Sequence, residues 1–162
     1  MQKHPQKQAI RVIISLDVEE EGLFSGHYAS RNCGVENVAL LPKLTPFTHE
    51  LGFPLTLLCA YTVLTNTRAC NTLAHMRDVA GAEIGAHLHH WSTPPFPQPQ
   101  GSGGAPERSD TMDRELLRQR LRTLLRAGHD FQGAPLTSFR MGRWDLKACV
   151  RPLLAEEGIL VD

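Results

Sequence analysis

The sequence has no apolar run long enough to cross a bilayer, no C-x-x-C pair and no excess charge of either sign. Each absence excludes something. Without a run of about 20 apolar residues, a membrane span is not expected. The four cysteines, Cys33, Cys59, Cys70 and Cys149, are scattered, so they read as buried free thiols rather than a zinc knuckle or a disulfide framework. Lys plus Arg and Asp plus Glu both number 17, and a balanced chain has no bulk attraction to nucleic acid or anionic lipid. The N-terminal apolar stretch Ile10–Leu16 is interrupted by Arg11 and ends in acids instead of a small-residue cleavage site. This predicts no signal peptide and a cytoplasmic protein. What is present is the composition of one globular domain: 162 residues, 41% hydrophobic and 21% charged.

Residues 1–9 are polar and read as a flexible tail, with a single domain over 10–162. Ile10–Leu16 is a β-branched run of the kind that forms a buried strand, followed by the acidic segment DVEEEG and a loop over 23–36. Asn37–Leu51 reads as a helix restricted by Pro42 and Pro46. Phe53–Leu64 reads as a second strand, Asn66–Ala80 as a helix and Ala82–Leu88 as a third strand. Residues 91–110, with five of the eleven prolines and a Gly-Ser-Gly-Gly stretch, form a long loop. Thr111–Ala127 is the clearest helix, with Leu117, Leu121, Leu124 and Leu125 on one face and Gly128 as its stop. Its arginines at 114, 118, 122 and 126 form a basic stripe expected to face solvent. A fourth strand at 135–141, a helix over Trp144–Glu157 and the start of a fifth strand at Ile159–Asp162 complete the pattern. About four β-α units in succession predict an α/β fold with a parallel sheet, and, if the fold is a barrel, about half of one. An open sheet edge of this kind invites self-association.

Three clusters carry candidate chemistry, each where a strand gives way to a loop, the end at which parallel α/β folds build their sites. In Asp17-Val18-Glu19, strand alternation turns both acids the same way, so one can hold a metal while the other takes a proton. A solvated acidic turn is the bland alternative. In Glu83–Trp91, His87 and His89 at i and i+2 also share a direction and suit chelation of one metal. In Ser138–Asp145, Arg140 can hold a carboxylate bidentately and keep it ionised. Gly142 allows backbone to approach a ligand, and Trp144 offers a flat apolar wall to a sugar ring.

Taken in order, SLDVEEEG, EIGAHLHHW and SFRMGRW resemble the first three motifs of the polysaccharide deacetylases, carbohydrate esterase family four, over nearly the whole chain. The resemblance implies a distorted (β/α) barrel and a divalent metal, most commonly zinc, held by one acid and two histidines. It also implies hydrolysis of N-acetyl groups on amino-sugar glycans. Asp17 takes the position of the catalytic base and Glu19 that of the acidic ligand. The family's two histidine ligands stand four residues apart, whereas Trp91 stands four after His87. The ligand roles therefore pass to His87 and His89, with His90 in reserve. Arg140 matches the arginine that orients the base, and Gly142 and Trp144 fall where the family contacts substrate. The family's later motifs, including the histidine that acts as general acid, are not found, which marks the chain as an apparently truncated member. The alternatives are an amide hydrolase of the same superfamily acting on N-acetylated small molecules, and a non-catalytic domain.

Overall fold

The computed structural model describes residues 12–26, 28–96 and 106–162, so the expected tail over 1–9 and the middle of the 91–110 loop lie outside the described residues. Four strands, β1 (Ile14–Val18), β2 (Leu55–Cys59), β3 (Glu83–Leu88) and β4 (Phe139–Met141), lie side by side in chain order and all run parallel. Helices α1 (Thr45–His49), α2 (Tyr61–Leu64), α3 (Thr67–Asp78), α4 (Arg114–Gln132) and α5 (Arg151–Glu156) connect and cover them. This is the α/β half-barrel that the alternation of elements predicts. Among the described residues, no helix is long and apolar enough to cross a membrane.

The central strands read as apolar runs because both of their faces are covered. Leu55, Leu57, Leu58 and Cys59 of β2 are all buried, as are Ile84, Ala86 and Leu88 of β3. Helix α3 adds Ala69, Leu73 and Met76 to this core, and α4 adds Leu117, Leu121 and Leu124. Both helices start on a side-chain cap: Asn66 accepts from the Ala69 N–H, and Asp113 accepts from the Leu116 N–H.

Several boundaries differ from the sequence reading. The first strand continues through Asp17 and Val18, because the ladder to β2 runs from Ile14↔Leu55 to Val18↔Cys59. The apolar run after Phe53 is a strand only to Cys59; beyond it the chain turns into α2. The segment with Pro42 and Pro46 is a 3-10 turn over Glu36–Leu44 followed by the short α1. The helix expected over Trp144–Glu157 narrows to α5, since Gly142–Trp144 forms a separate 3-10 turn. The fifth strand amounts to one bridge, Ser138↔Val161.

One expectation about α4 is corrected. Gly128 does not stop it: the helix runs on to Gln132 and ends at Gly133, whose φ of 72° supplies the left-handed cap. Gly128 is instead a packing residue, since a Cβ there would run into the Leu136 side chain. The arginine stripe faces solvent at Arg114, Arg122 and Arg126, as expected, and most of it is also paired. Arg114 and Arg118 pair with Glu156 at 3.4 and 2.7 Å, and Arg122 pairs with Glu157 at 2.8 Å, which ties α4 to α5. Such exposed pairs fix the packing register more than they stabilise it.

Gly128→Val would force a branched side chain into the Leu136 contact. It is expected to lower the unfolding free energy by about 1–3 kcal/mol, read as a lower midpoint in urea with an unchanged slope.

Candidate metal centre

The strand ends deliver the site. On β1, Ser15 and Asp17 lean the same way, and Glu19 follows just past the strand. On β3 and its continuation, His87 and His89 do the same, and the ladder sets His87 beside Arg140 of β4. In a flat sheet β1 and β4 would stand about 14 Å apart. Here Arg140 spans them directly, Nη1 donating to Asp17 Oδ1 at 2.5 Å and Nη2 to Ser15 Oγ at 2.6 Å. The sheet is therefore curled, and its carboxyl-end residues converge.

At the centre, Glu19 Oε2 lies 3.0 Å from His87 Nε2 and 3.1 Å from His89 Nε2, while the two Nε2 atoms are 2.8 Å apart. The other ring nitrogens fix what these atoms are. His87 Nδ1 faces the carbonyl oxygen of Arg140 at 3.1 Å, an acceptor only, so Nδ1 carries the proton. His89 Nδ1 faces Glu20 Oε1 at 3.0 Å and donates likewise. In the neutral rings both Nε2 atoms then present lone pairs to each other and to a carboxylate oxygen. Three electron-pair donors aimed at one buried point repel unless a cation stands between them. Ligands arranged tetrahedrally at zinc bond lengths of about 2.0–2.1 Å would lie about 3.3 Å apart, close to these separations. The residues present therefore fit a divalent metal. Glu19, His87 and His89 form the one cluster of metal-competent side chains among the described residues.

The electrostatics agree. Burial alone would raise the pKa of Glu19, but hydrogen bonds and charge from His87 and His89 outweigh it and hold the carboxyl at about 2. Burial would lower that of His89, yet Glu19 and Glu20 together raise it. The two carboxylates thus favour positive charge at this point, carried by a proton on an imidazole or by a metal ion in its place.

Glu20 is the residue that the sequence reading passed over. It is only 3% exposed, with its charge satisfied by His89, by Ser92 Oγ donating to Oε1 at 2.9 Å and by Thr62 Oγ1 donating to Oε2 at 3.0 Å. A carboxylate on the far nitrogen of a ligating imidazole fixes its tautomer and raises its basicity. The only hint in the sequence is that Glu20 is the middle acid of the run Glu19-Glu20-Glu21. Trp91, at the position where the family pattern has a ligand, instead stacks on the His89 ring at 4.3 Å between centroids. His90 lies outside the cluster: its ring packs edge-on against Trp91, and burial pushes its pKa down to about 4.

Asp17 and Glu19 open onto a cavity of about 190 Å³, also lined by Leu23, Phe24, Tyr28, His87, His89, Trp91, Arg143 and Trp144. Asp17 Oδ2 takes no hydrogen bond from the described residues and is free to receive a proton. Trp144 stands 77% exposed at the rim, its ring 4.8 Å from the Arg140 guanidinium. Gly142 does not face the cavity as the sequence reading expected. It is buried against the metal centre, and a Cβ there would come within 2.5 Å of His89 Cδ2. It makes room for the imidazole rather than for substrate.

No family model matches the sequence, and no curated protein matches it. Solved structures do match. A candidate polysaccharide deacetylase from Mycobacterium smegmatis superposes with a TM-score of 0.63 at 20% identity, over 91% of this chain and 48% of that one. A carbohydrate esterase family four pseudoenzyme from Bacillus anthracis gives 0.62 at 14% identity, over 98% and 43%. A mutant of a protein of this kind with restored enzymatic activity gives 0.60 at 16%, over 98% and 45%. The fold is that of the family four deacetylases. The chain spans less than half the length of each of these structures.

Glu20→Gln keeps the shape but removes the charge behind His89. It is expected to weaken zinc binding by about 10–100-fold, measured by competition with a chromogenic chelator. Unchanged zinc affinity would show that His89 needs no carboxylate partner.

Proposed function

We propose that this chain carries the metal site of a hydrolase that removes acyl groups, with N-acetyl groups on amino-sugar glycans as the substrate class. The observation that carries this reading is the convergence of Glu19 Oε2 and the two Nε2 atoms beside the Asp17–Arg140 pair. The fold match to a deacetylase and to family four pseudoenzymes supports the class. Glu19, His87 and His89 would hold the metal, with zinc best suited to a donor set of two imidazoles and one carboxylate. When bound, such an ion supplies a Lewis acid for the acyl carbonyl and for a water molecule.

The chain's own residues supply the rest. Arg140 holds Asp17 Oδ1, which fixes the carboxylate in the cavity lining and leaves Oδ2 to accept the proton of the attacking water. Ser15 fixes the second arm of the guanidinium, so Arg140 cannot swing away. The Arg140 carbonyl orients His87, so one residue positions both the base and a ligand. Trp144 and Phe24, both exposed at the rim, give flat apolar faces for a sugar ring. Among the described residues the cavity lining contains no further carboxyl or imidazole to protonate the leaving amine. A second reading, a metal-binding domain without turnover, is favoured by the pseudoenzymes among the structural neighbours.

The zinc-loaded chain is expected to retain one metal ion and to release acetate from a chromogenic acetyl ester, whose leaving group needs no proton, but little or none from chitin oligomers, whose amine does. Asp17→Asn should abolish this release, a loss of about 100-fold or more, while sparing the metal. His87→Ala should lose both. Metal retention in His87→Ala would sink the ligand assignment, and stoichiometric zinc without turnover would favour the second reading.

A further inference from the structure

The rim of the cavity contains a cation that the mechanism above does not use. Arg143 lies just after β4 with φ 56° and ψ 20°, and Trp144 follows with φ 55°. Two successive non-glycine residues in the left-handed region are strained, because an L side chain there crowds the following carbonyl. The strained turn swings both side chains to the cavity mouth instead of continuing the strand or starting a helix. There the Arg143 guanidinium sits over the Tyr28 ring, 5.2 Å from its centroid, and Tyr28 is braced edge-on by Trp91 at 5.3 Å.

Among the described residues, Arg77, Arg108, Arg114, Arg118, Arg122 and Arg140 each pair with a carboxylate, whereas Arg31, Arg68, Arg120, Arg126 and Arg151 do not. Arg143 belongs with the second group, and it is the arginine in the lining of this cavity. Arg143 has no such partner among the described residues, and its planar fork is held by an aromatic face that leaves the N–H edges open. The carboxylates that share its cavity are already engaged, Asp17 with Arg140 and Glu19 with the two imidazoles. An unpaired guanidinium beside a cation-binding centre makes the cleft favour an anion.

We infer that Arg143, held over Tyr28, is a specificity-determining residue and that the acyl substrate carries a carboxylate on its leaving portion. The planar guanidinium fork matches a carboxylate bidentately, and the exposed rings of Trp144 and Phe24 flank the ring or chain that bears it. This rests on the hydrolase reading for the identity of the cleft as a substrate site.

The test compares two probes of equal shape, 4-acetamidobenzoate and 4-acetamidobenzamide, titrated into the full chain with and without zinc and followed by calorimetry. The carboxylate is expected to bind about tenfold more tightly than the amide. Arg143→Gln should bring that ratio to about one, Arg143→Lys should keep part of it, and Tyr28→Leu should reduce it by freeing the guanidinium. Zinc content, measured on every variant, shows whether the metal centre is intact. Equal affinity for the two probes, a preference that survives Arg143→Gln, or no binding of either probe would overturn the inference. If zinc is bound at one per chain in that case, the metal reading stands without it. If the Arg143-dependent preference appears in a chain that does not bind zinc, the hydrolase reading fails and the anion site remains.

Discussion

The contact between Arg140 and Asp17 joins the first strand of the sheet to the fourth. It exists only because the sheet curls, and nearly everything chemical in this protein follows from that curl. Side chains from β1, β3 and β4 that a flat sheet would keep apart instead meet above the carboxyl ends of the strands. The contact is also economical in residues: Arg140 engages Ser15 and Asp17 with its side chain and His87 with its carbonyl. A guanidinium at 23% side-chain exposure bonded to a carboxylate of equal exposure is shielded enough for the pair to hold its geometry, yet wet enough to avoid the full cost of burying charge.

With both rings neutral, the cluster of Glu19, His87 and His89 beside this pair is a problem in electron-pair repulsion. Each imidazole is anchored through Nδ1, one by a carbonyl and the other by a buried carboxylate, so neither can turn its lone pair away from Glu19. The supports are themselves supported: Glu20 by Ser92 and Thr62, the His89 ring by Trp91 on one face, and the approach of Gly142 by its missing side chain. An arrangement of this kind favours positive charge at one point, which a proton on His89 or a metal ion can supply. The rim follows a different logic, with exposed aromatic faces and one uncompensated guanidinium suited to recognition rather than to bond making.

Much of this was legible in the sequence, for identifiable reasons. The buried strands announced themselves through apolar runs, and α4 through its leucine spacing, because both patterns reflect local periodicity. The i, i+2 spacing of Asp17 with Glu19 and of His87 with His89 anticipated which side chains gather in the cluster, since a strand converts that spacing directly into a shared direction. Boundaries were less legible. Gly128 looked like a helix stop, but a glycine is also what close packing against Leu136 requires, and the two cases look identical in sequence. The pairing of the arginine stripe was not legible either, because nothing local shows that Glu156 and Glu157 of α5 lie across from it.

The sequence by itself determined the order of elements, the parallel α/β class and which acids and histidines point the same way from each strand, because these are properties of short segments and their period. Tertiary structure alone decided that Glu20 stands behind His89, that Trp91 stacks on the His89 ring, that Gly142 makes room for an imidazole and that Arg143 has no carboxylate partner among the described residues. Each of these depends on distances between residues far apart in the chain, and those distances are set by the curvature of the sheet and the packing around it.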